Sequence, residues 1–441
     1  MIFRSEKFLK LFGAIYICAG HASFLFAITF NSAMETLWDK SVDRQIQFLN
    51  RKLVIANNEK LDKGKWPNAE IGAVSQFSHS YFSPSNGSAR TKNDGYNYLY
   101  LNIDYSLTDY YKTLANADLR KSSKDLAKHQ ETIAKLEYQR QMAFLYFKAI
   151  HSLRYSKILD EKLTVLNLQM EKAKSKEKIG LITKQDLELI DWSIKDTLAS
   201  ISEIRRMSDE SLGVLYRELE YQGNEPLQLE DISDISIEAA LVNLNSTKDL
   251  GIEHSINTSP RILFFESKER VGIENMKQIK REGWPNISLF GEQQINPSPN
   301  EVEPKSESII GLKLSWQIKD YTNTRYDLSA ISIENNLVAT EKVKETERMT
   351  KDATRLRESL NQRIKIIEER FAVINSAKKR VDTELLLYRS NQRTIEYMLD
   401  ALKSYSEAKS TYLEALIAYF SESVEFHFVL AKDSLRLAGL K

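Results

Sequence analysis

The chain of 441 residues has one cysteine, Cys18, 15 glycines and 8 prolines. Cys18 lies inside a segment expected to be removed, so the mature chain would have no disulfide, no thiol nucleophile and no cysteine metal site. So little Gly and Pro, beside 28% charged residues, argues against a loop-rich compact enzyme and for long amphipathic helices. Excess charge is missing too: 62 basic and 61 acidic residues leave +1, which gives no electrostatic footprint for nucleic acid. The six histidines, at 21, 79, 129, 151, 254 and 427, show no metal-ligand spacing. No G-x-S-x-G, Walker loop or paired-carboxylate constellation occurs, so neither catalysis, a cofactor nor a metal is expected, and no Met or His cluster hints at a metal duct. Beyond the N-terminus no segment offers the ~18 consecutive apolar residues of a spanning helix. If this chain crosses a membrane, it does so as strands.

Residues 1–22 read as a secretory signal peptide: Arg4, Lys7 and Lys10, then the apolar run LFGAIYICAG, then Gly20-His21-Ala22 as a cleavage site. Ala27 is a second candidate cut. Apolar character resumes at FLFAITF, so a membrane anchor is the alternative. Ile17, bulky and immediately before Cys18, argues against lipidation of that cysteine.

What is present is a plan stated twice. Trp66-Pro67-Asn68 recurs as Trp284-Pro285-Asn286; LNIDYSLTDYYKT (101–113) aligns with LKLSWQIKDYTNT (312–324); KIGLITKQDL (178–187) aligns with RSNQRTIEYM (389–398). Asp109 to Gly180 and Asp320 to Asn391 are both 71 residues, so two long arms end at one level. The stretch from Trp-Pro-Asn to Asp is 41 residues in one copy and 34 in the other, and the seven extra residues are assigned to an exposed loop.

Each copy opens with strands. Ile310, Leu312, Leu314, Trp316 and Ile318 alternate with Gly311, Lys313, Ser315, Gln317 and Lys319, giving one dry and one wet face. Leu99, Leu101, Ile103, Tyr105 and Leu107 alternate likewise with Asn102, Asp104 and Ser106, and Ile71, Ala73, Phe77 and Tyr81 with Glu70, Gln76, Ser78 and Ser80. Turn-rich SPSNGSARTKNDG and NPSPNEVEPKS join the pairs. Such hairpins could cover a soluble core. Strands of about 10–13 residues flanked by Trp66, Tyr96, Tyr98, Tyr100, Trp284 and Trp316 suit a tilted outer-membrane crossing better. Four strands cannot close a barrel alone, so they would be shared among subunits.

Each copy continues as helix. Residues 110–178 contain no Gly or Pro and would span ~100 Å as one helix. Returning helices begin near Asp186 and Glu396. In the second, Ile395, Leu402 and Leu416 with Met398, Tyr405, Tyr412 and Tyr419 form a coiled-coil seam interrupted by Lys409. Between the arms, Asn391 suits the left-handed residue that ends a helix and Thr394 the start of the next.

The ordered set resembles the TolC-type outer-membrane efflux proteins across nearly the whole mature chain. It comprises a signal, two strand pairs entered at Trp-Pro-Asn, two very long hairpins turning at E177-K-I-G-L-I-T-K-Q-D186 and Y388-R-S-N-Q-R-T-I-E-Y-M-L-D400, and the final AKDSLRLAGL. The resemblance implies an α+β membrane protein: four β-strands contributed to a trimeric twelve-stranded barrel, above periplasmic α-helical coiled-coil hairpins. The corresponding divisions are signal 1–22, N-terminal helical segment 23–64, first strand pair 65–108, first hairpin 109–222, linker and equatorial helix 223–283, second strand pair 284–319 and second hairpin 320–441. Implied partners are two further copies in a homotrimer, a periplasmic adaptor (membrane fusion) protein, an inner-membrane transporter and outer-membrane lipid. The implied role is the exit duct of a tripartite efflux pump or a type I secretion system.

The resemblance also implies that the tip turns, Gly180, Leu181 and Thr183 with Asn391, Gln392 and Thr394, dock the adaptor. Asp186, Tyr388, Arg393 and Asp400 match the positions whose hydrogen bonds and salt links keep the tip closed. Two residues depart from the pattern. Asn391 replaces a usual Gly, and Tyr397 stands where an acidic residue often faces the pore, leaving Asp400 as the remaining carboxylate. Without the resemblance these are ordinary helix-end residues, and Thr183 with Asp186 reads equally well as a capping pair. The competing reading is a soluble periplasmic coiled-coil adaptor or scaffold, which has no need of two matched strand pairs with an apolar face.

Overall fold

Trp-Pro-Asn opens a strand in both copies, and each strand pair gives way to helices of great length. The computed structural model describes residues 30–60, 66–82, 90–218, 241–242, 251–296, 305–316, 320–430 and 437; the signal segment, residues 1–22, and the linker stretch 219–240 lie outside them. The order is α1 (Phe30–Lys40), α2 (Val42–Lys60), β1 (Asn68–Phe82), β2 (Arg90–Ser106), α3 (Leu107–Ala115), α4 (Ala117–Lys178), α5 (Lys184–Glu218), α6 (Ile252–Asn257), α7 (Pro260–Glu282), β3 (Asn286–Asn296), β4 (Lys305–Ser315), α8 (Asp320–Arg389) and α9 (Ile395–Leu430). Among the described residues no helix is long and apolar enough to cross a membrane.

The four strands form one antiparallel sheet in the order β1-β2-β3-β4. Cross-strand partners share a face. Ile71 lies opposite Leu101, Leu99 opposite Ile295, Tyr105 opposite Leu289, Leu289 opposite Leu312 and Ile287 opposite Leu314, so these define an apolar face. Glu70, Asn102 and Glu292 align on the other face, as do Gly72, Tyr100 and Gln294. The Tyr100 hydroxyl donates to Glu70 Oε1 at 2.8 Å there. Tyr98 and Tyr100 were expected among the interface aromatics, but they sit within β2 on the polar face. Trp66, Trp284 and Trp316 stand exposed at the helix end of the sheet, where Trp316 Nε1 donates to the Gly283 carbonyl at 3.2 Å.

The first hairpin is longer than its turn chemistry suggests. The ladder runs out to Phe82 opposite Arg90, so Arg90–Gly95, expected as linker, is strand. Strands of 15 and 17 residues face strands of 11 and 11 in the second copy. The extra residues lengthen strands rather than a loop, because a continued backbone ladder overrides local Gly and Asn preference.

The first arm is also divided. α3 ends at Asn116 (φ −84, ψ 6), whose N–H turns back to the carbonyls of Lys112 and Thr113, and α4 restarts at Ala117. Ser106 caps α3, accepting from Asp109 N at 3.0 Å, and its own hydroxyl reaches Asn286 at 2.7 Å. α4 has 62 residues and α8 has 70, about 90 and 105 Å of helix.

Two apolar clusters hold the arms together. In the larger, Phe30, Met34 and Leu37 of α1 pack with Tyr146 and Phe147 of α4 and Phe420, Val424 and Phe426 of α9. The smaller unites Leu166, Ala173, Ile190, Val381, Tyr388, Ile395, Met398, Ala401 and Leu402 near the two turns. The seam of α9 takes part as its spacing requires: Ile395, Met398, Leu402, Leu416 and Tyr419 are buried, with Tyr405 and Tyr412 packed beside them. Lys409 interrupts it by laying its ammonium over the Tyr405 ring and pairing with Glu161 at 2.5 Å.

Candidate functional site at the hairpin tips

Both arms turn by the same backbone device. Leu181 N–H bonds the Lys176 carbonyl at 3.0 Å and Gly180 N–H the Glu177 carbonyl at 2.9 Å; in the second arm Gln392 bonds Leu387 at 2.9 Å and Asn391 bonds Tyr388 at 3.2 Å. These are paired Schellman closures, which require a left-handed residue. Gly180 (φ 75) and Asn391 (φ 58) supply it, and Asn391 is the only non-glycine with positive φ among the described residues. Leu181, Thr183, Asn391, Gln392 and Thr394 are all exposed, and Ile179 beside them adds apolar surface.

The return helices start differently. Thr183 and Asp186 form a reciprocal box: Thr183 N and Oγ1 each lie 2.8 Å from Asp186 Oδ2, and Asp186 N donates to Thr183 Oγ1 at 3.2 Å. Such a box is worth about 1 kcal/mol of helix start. In the second arm Tyr397 occupies the position of Asp186, and the Arg393 guanidinium lies 4.6 Å from its ring centre.

Of the four expected closing residues, no direct hydrogen bond or ion pair joins any two within one chain among the described contacts. Asp186 is held in its capping box. Asp400 pairs with Arg380 at 2.5 Å, bridging α8 and α9 of one hairpin. Tyr388 is buried in the tip cluster, its hydroxyl without a hydrogen-bond partner. Burial first, and the Asp186 charge second, push its pKa up.

The residue that does join the two tips is Lys176, in the last turn of α4. Its ammonium donates to the Tyr388 carbonyl at 3.0 Å and to Asn391 Oδ1 at 2.7 Å, and lies 4.5 Å from the centre of the Tyr388 ring. Burial holds its pKa below the usual lysine range. Sequence reasoning passed over it because it stands in a run of lysines, EKAKSKEK; what distinguishes it is a place on the face turned to the other arm. Above the tips a groove between the hairpins is lined by Leu159, Lys162, Trp192, Asp196, Asp400 and Lys403.

No protein-family model and no curated protein matches the chain. Solved structures match over nearly its whole length. The outer membrane protein VceC of Vibrio cholerae is 12% identical with TM-score 0.70, covering 91% of this chain and 96% of that one. CusC is 14% identical with TM-score 0.73, covering 95% and 96%, and the CmeC outer membrane channel of Campylobacter jejuni is 13% identical with TM-score 0.68, covering 92% and 88%. The chain has the TolC-type outer-membrane channel fold.

Proposed function

We propose that the protein is an outer-membrane channel-tunnel, a passive exit duct opened at its periplasmic tip when an adaptor docks there. The observation that carries this is the two-faced sheet. At the middle of β4, Ile310 is 82% exposed, with Leu312 and Leu314 nearly as bare, and no helix packs along β4 among the described residues. Water penalises such a surface at ~25 cal/mol per Å², and lipid does not. Both β1 and β4 leave an edge unpaired, which an isolated sheet cannot tolerate in a membrane. Three copies would join these edges into a twelve-stranded barrel, and the helical arms would continue it through the periplasm.

The tips suit a gate. Gly180, Leu181, Thr183, Asn391, Gln392 and Thr394 present exposed turns for an adaptor. Asp186, Tyr388, Arg393 and Asp400 ring them, with Tyr388 acting through its ring and Arg393, stacked on Tyr397, exposed on the side open to a neighbouring subunit. An inner-membrane transporter completing a tripartite pump or a type I secretion system would set the substrate. The test is fractionation followed by mass measurement in detergent. A trimer that leaves the membrane only with detergent supports the channel; a monomer soluble without it returns the chain to a periplasmic scaffold.

A further inference from the structure

Helices α2 and α7 are counterparts, and their register is fixed at several points. Both begin after a buried serine whose hydroxyl caps the helix: Ser41 Oγ accepts from Arg44 N at 3.1 Å and Ser259 Oγ from Ile262 N at 3.4 Å. Each serine N–H also bonds three residues back, to Trp38 and to Ile256. The same offset of 218 residues joins Trp66 to Trp284. For α4 and α8 the offset is 211, fixed by Gly180 and Asn391.

Their surroundings are not equivalent. α7 lies between two long helices. It meets α8 through Lys342 and Glu266 at 3.0 Å, and α4 through Arg261 and Glu137 at 3.9 Å. α2 packs along α4 through Arg51 and Glu131, and Glu131 is the counterpart of Lys342. The counterpart of the other contact, α7 on α4, is empty in a single chain, and the surfaces it would cover are bare and apolar. Val42, Ile46, Leu49 and Leu53, at helical spacing, line the outer side of α2; Leu49 is 62% exposed where its counterpart Ser267 is 2%. On α8, Ile333 is 67% exposed where its counterpart Ser122 on α4 is 9%. Leu337 is likewise exposed, whereas its counterpart Leu126 is partly covered.

Chain order says what covers them. α2 leads into β1 and β4 leads towards α8, and β1 and β4 carry the two unpaired edges of the sheet. Joining those edges between copies sets α2 of one beside α8 of the next. We propose that α2 packs on the N-terminal half of α8 of a second copy of this chain, in the register of the α7–α4 contact, with Asp43 facing Arg348 of the partner subunit. Asp43 is the counterpart of Arg261 and Arg348 of Glu137: the signs are exchanged and remain opposite. Both side chains are exposed, Arg348 holding Glu345 of its own helix at 2.7 Å with room for a second carboxylate. The same register sets Leu53 level with Leu337 of the partner subunit and Leu49 level with Val343 of the partner subunit. This inference rests on the trimeric reading above and names the seam that reading leaves open.

The test is the variant Asp43→Cys/Arg348→Cys, treated in membranes with a short bis-maleimide and run on denaturing gels. Covalent dimers and trimers should form from the double variant and from neither single variant, the singles also controlling for Cys18. Monomer bands alone from a protein whose detergent mass is trimeric would overturn the seam and spare the trimer. A monomeric mass in the unsubstituted protein would overturn both. Independently, Asp43→Arg should lower the trimer fraction at dilution by about fivefold, the effect of a ~1 kcal/mol pair made repulsive. Adding Arg348→Asp should restore it, and failure to restore it would count against the pairing.

Discussion

Two neighbouring residues of β4 separate a lipid-facing sheet from a water-facing one. Ile310 sits at the centre of the 11-residue strand on the apolar face, opposite Gly291; Ile309 points the other way, opposite Glu292. If the apolar face meets lipid, Ile310→Lys places an ammonium near the bilayer midplane, at about 2–4 kcal/mol per subunit. By the rule of tenfold per 1.4 kcal/mol, that is a loss of roughly 30-fold or more in the assembled fraction. Ile309→Lys would face an aqueous lumen with Glu292 across the ladder and should be neutral or slightly favourable. In a soluble protein the expectation reverses: Ile310, at 82% exposure, is the more tolerant position, with a change within about 0.5 kcal/mol, and Ile309, at 38%, the less. The assay is the yield of heat-dissociable trimer in membranes for each variant, with its dissociation midpoint in urea. Equal behaviour of the two, or a greater loss from Ile309→Lys, would refute the assignment of the faces.

Four further outcomes follow from the site and core. Lys176→Met removes two hydrogen bonds and a cation–π contact between the tips, about 1–2 kcal/mol in this half-exposed setting, and should raise resting conductance several-fold; an unchanged closed level would show that Lys176 does not restrain the tips. Tyr388→Phe keeps the ring and deletes a buried hydroxyl with no partner, so the closed state should be retained or strengthened by about 1 kcal/mol, whereas Arg393→Ala should increase leak; bilayer recordings of both variants check the division, and a leaky Tyr388→Phe would contradict it. Gly180→Ala meets no atoms but must hold φ 75, a strain of about 1 kcal/mol that hydrogen exchange at the tip should register, while Asn391→Gly relieves that strain and loses the Lys176 acceptor. His427, beside Phe426, has its pKa lowered by desolvation to about 4, so the folded protein favours the neutral ring. That contribution is complete above the unfolded pKa of about 6.5 and is lost as pH falls towards 4, at most about 3 kcal/mol; His427→Phe should flatten urea stability across this window, and an unaltered pH slope would contradict it.

Much of this architecture was legible in the sequence because it depends on local periodicity. The alternation about Leu312 and Ile103 foretold which side chains share a face, and the equal spacings to Gly180 and Asn391 foretold paired turns. Of the heptad residues of α9, Ile395, Met398, Leu402, Leu416 and Tyr419 are buried, with Tyr405 and Tyr412 partly so. What escaped depends on contacts across the chain. The ladder that carries Arg90–Gly95 into strand is set by the partner strand, not by the turn-forming residues themselves. The break at Asn116 has no Gly or Pro to announce it. Lys176 is one lysine among several until the second arm arrives beside it, and the Asp400–Arg380 pair across α8 and α9 carries no local signature, whereas the Thr183–Asp186 capping pair was legible from its spacing.

Recording the detergent-extracted protein in planar lipid bilayers tests the channel most directly. A mostly closed duct should give discrete, long-lived steps of small conductance, larger and more frequent in Lys176→Met. Silence at every voltage, from a protein that stays monomeric in plain buffer, would contradict a membrane channel and return the apolar sheet face to a soluble fold.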